Sequence, residues 1–525
     1  MALPTPRPSP SRVALINRTN DPLVLPSARA SLPTPPEHAL AKRPHAGADS
    51  SDATRIKRVK LCLDDMVEPM DCDSDEDRSP AVIWRPKNTI YHRLSARASS
   101  RPGAFPHQTL LPAHSTMRSF VSSHTADVFS CRSGRVDSFV TPPYACAYTH
   151  AAKRGGAPRL AVATEEGTVF VWDTARRTAE DAVPQRIDLQ THDNGIFDVQ
   201  WSTSDTFLAT SAGDHTTRIT DPNAAKTVYI LSGHKSTVKS AVWDPAHEQL
   251  LSTGGRDGSI CVWDLRSSGR CTQGNMSPVM CIKDAHIEDQ PAKGRGKKST
   301  ASVRTVTSLL YSDMTPCGLI SSGSFDGILR YWDLRQSTPP KKSRSTKPPN
   351  VLPLYTSSSD PTTVHGARRP RGITSVVAGT GPSAGLLFGL GIDSCVHTYA
   401  ASTLHPLSSS FTHSKMLTNS FYVRLSMSPD GRTLAAGSTG GSAFLYDVSC
   451  ASLANLGEFG GSDTGVELAS QRGEVGAVDW ADGMLATCSD DGTVRVWRSD
   501  EEVRRRCTED DAHWNWAWAV DQESR

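Results

Sequence analysis

The sequence predicts an all-β protein: a closed ring of seven four-stranded blades, preceded by a long disordered N-terminal segment. Three observations predict it. Short Val/Ile/Leu-rich runs alternate with Gly, Asp and Ser turns from about residue 125 onward, the texture of half-buried strands. A common ending recurs along the same region. It closes EEGTVFVWD at Asp173, GDHTTRITD at Asp221, RDGSICVWD at Asp264, FDGILRYWD at Asp333, GGSAFLYD at Asp447, DDGTVRVW at Trp497 and, more weakly, GIDSCVHTY at Tyr399. Most of these seven endings are somewhat more than forty residues apart, the period of one propeller blade.

Before the repeats, residues 1–115 are rich in Pro, Ser, Ala and Arg. Such a segment cannot bury enough apolar surface to offset its ordering entropy, so disorder is expected. Within it Lys42 and Arg43 precede Lys57, Arg58 and Lys60 by a spacer, as in a bipartite nuclear import signal; a solvated basic stretch is the plain alternative. The nucleus is the expected location. Thr5, Ser9, Thr34 and Ser79 each precede proline, which fits proline-directed phosphorylation and chance equally well.

The repeat region, residues 116–500, reads as a WD40 propeller. In such a blade a His before the first strand, a strand hydroxyl, an Asp in the second-to-third-strand turn and the third-strand Trp form one buried polar network. His234, Thr253, Asp257 and Trp263 fit that set in the third unit and are read as structural, because buried polar groups persist when mutually satisfied. Other units lack a member: Thr220 replaces the Trp, Glu166 the turn Asp and Gln471 the loop His. Those blades are expected to rely more on packing. Ring closure removes exposed sheet edges. Because the chain turns charged after Trp497, a segment near Met117–Ser123 is expected to complete the last blade.

Two longer spacings place basic insertions at 284–302 and 336–365, which read as surface loops, with a second import signal or weak phosphate contact as the alternative. Residues 501–525 form a tail whose AHWNWAWAV stretch could dock on the propeller flank or bind a partner.

Tests for chemistry come out negative. Gly381-Pro-Ser-Ala-Gly385 matches the GxSxG spacing, but apolar strand-like runs lie on both sides of Ser383, whereas a nucleophile elbow needs a strand running into a helix. No HExxH and no CxxC occurs, and the twelve cysteines are scattered. That pattern fits reduced thiols in cytosol or nucleus and suggests neither metal nor cofactor. The formal net charge of +2 gives no basis for direct sequence-specific nucleic-acid binding, and no apolar run is long enough for a helical membrane span. A non-catalytic platform is the expected class.

Residues 254–266, GGRDGSICVWDLR, and 323–335, GSFDGILRYWDLR, share one more feature: both end on an arginine two residues beyond the Asp. Arg266 and Arg335 close consecutive units, so they should lie side by side on one rim, with planar guanidinium groups suited to a partner's carboxylates or carbonyls. An ion pair within the blade is the alternative.

These paired boxes, Trp263-Asp264-x-Arg266 and Trp332-Asp333-x-Arg335, resemble the adaptor-docking signature of substrate receptors of cullin-four RING ubiquitin ligases. The surrounding text, VTPPYACAYTH, HDNGIFDVQW, GHKSTVKSAVWDP and NSFYVRLSMSPDGRTLAAGS, is similar to blades of the denticleless family over roughly residues 138–498. The long N-terminus would suit a fungal member. The resemblance implies a non-catalytic receptor that docks the large subunit of the damage-specific DNA-binding protein. It implies further that the receptor recruits PCNA-bound degron substrates, such as the replication licensing factor, for ubiquitination and degradation in S phase and after DNA damage. No clamp-binding box follows the last blade, so the substrate–clamp complex is expected to supply the contact with PCNA. The degron would sit on the face opposite the arginines, where Asp193, Lys235, Arg256, Phe325 and Asp490 are candidates; for each, simple turn chemistry is the competing reading. The competing function is a WD40 scaffold that binds chromatin or histones without a ligase.

Overall fold

A computed structural model describes residues 113–509, apart from 123–124, 135–137, 177–185, 268–270, 273–274, 287–303, 336–350, 365–368, 450–464 and 470. The import residues Lys42, Arg43, Lys57, Arg58 and Lys60, the Ser/Thr-Pro sites and the AHWNWAWAV stretch lie outside the described residues.

Seven sheets follow one another in chain order, antiparallel throughout except where Asn275–Met276 pairs in parallel with Lys226–Ser232. Their first strands are Pro143–Tyr148, Ile196–Trp201, Val238–Trp243, Val306–Tyr311, Ile373–Ala378, Leu425–Met427 and Val475–Ala481. Alternating side chains fill the gaps between neighbouring sheets. Ala161, Val169 and Val171 of blade 1 meet Ile196, Val199 and Trp201 of blade 2. Ile260 and Ile282 of blade 3 meet Val306, Leu309 and Trp332 of blade 4. Leu160, Phe170 and Trp172 of blade 1 meet Ala486, Val494 and Val496 of blade 7, which closes the ring.

Blade 7 has three strands from the C-terminal part, Val475–Ala481, Met484–Ser489 and Thr493–Ser499. Two N-terminal segments pair with the last of these: Phe120 opposite Ser499 and Val121 opposite Arg498, then Val128 opposite Arg495 through Ser130 opposite Thr493. The expected Met117–Ser123 segment therefore supplies half of the closing edge. Met117 belongs to a short helix, Ala113–Arg118, and is buried with Phe120 against Trp480 and Trp497.

Side chains on the first strands also link blade to blade around the axis. Asp198 accepts from the Ala241 amide at 2.8 Å, Ser308 from Val376 at 3.2 Å, Ser375 from Leu425 at 3.1 Å and Asp479 from Tyr148 at 2.7 Å. The last bond joins blade 7 to blade 1. These bonds satisfy inner-strand amides that face the neighbouring blade.

Three expectations are corrected. The insertion 284–302 is not a solvated loop at its start: Ala285 and His286 are 1% exposed, and His286 enters the polar network of blade 4. Part of 336–365 is blade structure too, since Tyr355–Thr356 is the fourth strand of blade 4, paired with Arg330 and Tyr331. Blade 2 is wider than expected. Between the third and fourth strands of blade 3, the chain leaves to form Cys271–Thr272 and Asn275–Met276, which add to blade 2 beside Lys226–Ser232.

Candidate functional site

The blade 3 network forms as its residues require. Trp263 Nε1 donates to Thr253 Oγ1 at 2.9 Å, and His234 Nε2 meets the same hydroxyl at 2.8 Å. His234 Nδ1 lies 3.2 Å from Asp257 Oδ1, and Ser259 and the Lys235 amide donate to the same carboxylate. One direction of donation satisfies the chain: Trp N–H to Thr oxygen, Thr O–H to His Nε2, His Nδ1–H to Asp. Partial burial alone would raise the Asp257 carboxyl, but the hydrogen bonds from His234, Lys235 and Ser259 hold it well below its ordinary range. Gly258, at φ +73°, makes the turn that places Asp257. These residues carry architecture, as expected.

The incomplete units, expected to rely more on packing, in most cases keep much of the polar network. Blade 7 keeps a full network, because Gln471 stands in for the histidine: Thr487 donates to Gln471 Oε1 at 2.7 Å and accepts from Trp497 Nε1 at 3.0 Å. In blade 2, His192 joins Asp214 at 2.7 Å and Thr210 at 2.9 Å, stopping short only of Thr220. Blade 4 uses His286, Ser321 and Trp332, while its turn residue Asp326 pairs with Arg304 instead. In blade 1, Glu166 accepts from Ser133 at 3.0 Å. Ser383 lies in a three-residue turn between two strands, fully buried, its hydroxyl donating to backbone oxygens of Thr380 and Gly431. It is a turn serine, not an elbow nucleophile.

The WD-x-Arg boxes adopt one geometry twice. Leu265 and Leu334 each donate a backbone hydrogen bond to the same blade, to Gln249 and Cys317, as the third strand ends. The Asp then accepts the arginine's own amide at 3.0 Å in both boxes. Arg266 Nε and Nη2 reach Asp264 Oδ1 and Oδ2, each at 2.9 Å; Arg335 makes the same pair with Asp333 at 3.1 and 3.3 Å. Here the ion pair within the blade is realised, and the arginines are not unengaged. They nevertheless stay exposed, at 63% and 60% of their side-chain surface. Among the described residues only the Nε/Nη2 edge is engaged, so each guanidinium is fixed in direction with its other edge unused. Blades 3 and 4 share a core, and both boxes leave the equivalent third strand, which puts the two arginines on one rim.

In an antiparallel blade that rim is opposite the face holding the second-to-third-strand turns. All five degron candidates lie on this second face. Asp193, Lys235, Arg256 and Asp490 are exposed, and Phe325 is 43% exposed under the Arg304 guanidinium, 3.8 Å from its ring centre. Sequence reading missed what occupies the middle. The innermost strands begin at the channel mouth, and residues near their starts converge there. Tyr144, Phe197 and Tyr422 stack with ring centres 5.5–5.7 Å apart and planes within 18°. Lys239 Nζ sits 3.6 Å from the Phe197 centre and 4.6 Å from that of Tyr422. Burial, with Arg424 and Arg256 nearby, pushes the Lys239 ammonium down to about 7. Carboxylates border the rings. Burial raises Glu474 and Asp490, and Asp490 adds to the rise at Glu474, while Glu165 and Asp491 add to that at Asp490. Asp490 and Arg256 thus adjoin the platform, whereas no contact joins Asp193, Lys235 or Phe325 to it among the described residues.

No group of His, Cys, Asp or Glu among the described residues is arranged to hold a metal ion, and no described helix is long and apolar enough to cross a membrane. Fold and surfaces together define a WD40-repeat propeller with two chemically distinct faces. The WD domain, G-beta repeat family matches residues 183–221, 225–264 and 466–498. Among curated relatives, the denticleless protein homolog of Danio rerio is 29% identical over 78% of this chain and 59% of its own length. Denticleless protein homolog A of Xenopus laevis is 31% identical over 72% of this chain and 51% of its own length. Cell division cycle protein cdt2 of Schizosaccharomyces pombe is 30% identical over 65% of this chain and 66% of its own length. The chain belongs to the denticleless family, and it spans about half to two thirds of the length of these relatives.

Proposed function

We propose that this chain is a non-catalytic substrate receptor of a cullin-four RING ubiquitin ligase. The observation that carries the proposal is the repeated exit turn: two blades in contact end on the same Asp-fixed guanidinium, and both arginines face solvent. A partner carboxylate or carbonyl can take the outer N–H edge without first ordering the side chain, so the entropy cost of docking is lowered. The docked protein is the ligase adaptor, the large subunit of the damage-specific DNA-binding protein.

The opposite face receives the substrate. Its centre offers aromatic surface with carboxylates beside it, which suits a peptide carrying a basic side chain. In this reading the substrates are PCNA-bound replication and cell-cycle regulators, captured in the nucleus during S phase and after DNA damage.

The test is purification of the tagged chain from S-phase cells in mild salt, followed by probing for the cullin adaptor and PCNA. Recovery of the adaptor supports the receptor. Recovery of histones without adaptor would replace it with a chromatin-binding scaffold.

A further inference from the structure

Blade 3 places two cysteines directly across from one another. Cys261 on the third strand and Cys281 on the fourth are register partners in an antiparallel pair, and their sulfurs are 3.8 Å apart, with the Cys261 thiol donating to Cys281. Cross-strand partners have Cα atoms about 4.5–5.5 Å apart, within the span a disulfide bridges. Both are free thiols; Cys261 is buried, whereas Cys281 is half-buried. The hydrogen bond from Cys261 favours the thiolate at Cys281 against the effect of burial, and the Lys283 ammonium adds to it. The less buried sulfur, on the outer strand of the blade, therefore has a resolving sulfur directly opposite it.

We propose that Cys261 and Cys281 are an oxidisable dithiol that hydrogen peroxide converts to a reversible disulfide. The Cys281 thiolate attacks one peroxide oxygen, the O–O bond breaks, and the other oxygen leaves as water after protonation, giving a sulfenic acid. The Cys261 sulfur then attacks the Cys281 sulfur, the S–S bond forms, the S–O bond breaks and a second water leaves. Two thiols lose two electrons in total, and one peroxide is reduced to two waters. The resulting link closes residues 262–280, the segment that carries Arg266 and the Asn275–Met276 strand added to blade 2. Oxidation thus ties together both ends of the connection that fastens blade 3 to blade 2.

The test treats the full chain with micromolar hydrogen peroxide, blocks remaining thiols and maps tryptic peptides by mass spectrometry with and without a dithiol reductant. The expected product joins 257–266 to 271–283 and disappears on reduction. The second peptide also holds Cys271, so variants decide the assignment: the link persists in Cys271→Ser and is lost in Cys281→Ser and Cys261→Ser. Absence of the linked peptide in the folded wild-type chain, or its survival in Cys281→Ser, overturns the proposal.

Discussion

Arg266 and Asp264 are joined by two side-chain hydrogen bonds of 2.9 Å, so the aspartate that ends the third strand of blade 3 also aims the arginine two residues later. Asp333 does the same for Arg335. The side-chain bond to each Asp is the main influence that raises its arginine and lowers the Asp carboxyl. Both arginines are exposed, so the pair contributes direction more than stability.

That division of labour separates two kinds of variant. Asp264→Ala with Asp333→Ala should lower the unfolding midpoint only modestly, through loss of the two amide caps, and weaken adaptor binding roughly 5–100-fold, the cost of ordering two long side chains upon docking. Calorimetric titration with purified adaptor checks it. No loss of affinity would mean that the aspartates do not prepare the arginines.

Blade 7 should depend on Gln471 as other blades depend on histidine. Gln471→Ala leaves the buried Thr487 hydroxyl without its partner while Trp497 still donates to it, an expected loss of about 1–3 kcal/mol. Gln471→His should lose much less. Urea unfolding of the three proteins provides the comparison.

His286 should make the propeller acid-sensitive. Burial, reinforced by Arg330 and Arg304, pushes the ring from its ordinary 6.5 down to about 3. The folded value lies below the unfolded one, so the stabilisation is complete above pH 6.5 and is lost as the pH falls toward 3. Between pH 6.5 and 5 the loss is about 2 kcal/mol at 1.36 kcal/mol per pH unit. His286→Gln, which can keep a bond to Ser321 without titrating, should flatten that slope in urea unfolding.

The aromatic platform should serve substrate capture alone. Phe197→Ala or Tyr422→Ala should weaken capture of the substrate–PCNA complex by roughly 30-fold, the scale of an aromatic hot spot, with adaptor binding retained. Equal loss of both partners would indicate a folding defect.

The ring was legible because it repeats. Asp173, Asp264, Asp333 and Asp447 mark strand ends that any blade needs, and His234, Thr253, Asp257 and Trp263 form one network at the expected spacing. Paired boxes fixed which rim carries Arg266 and Arg335, but spacing alone could not decide whether each arginine folds back on its own Asp. Gln471 was misread because a side-chain amide bonds a threonine as well as an imidazole does. Long-range assembly hid the rest. Tyr144, Phe197, Lys239 and Tyr422 come from four blades, and only the convergence of inner strands brings them together. One signal was available: an aromatic or cationic residue within three residues of the start of several first strands.

The most direct test of the docking rim is adaptor binding by Arg266→Ala with Arg335→Ala, measured against the wild-type chain by calorimetric titration, with circular dichroism showing that both are folded. The predicted result is a loss of roughly 30-fold or more, since each substitution leaves a partner group buried and unpaired. Unchanged affinity in the folded double variant would contradict the assignment of this rim to the adaptor.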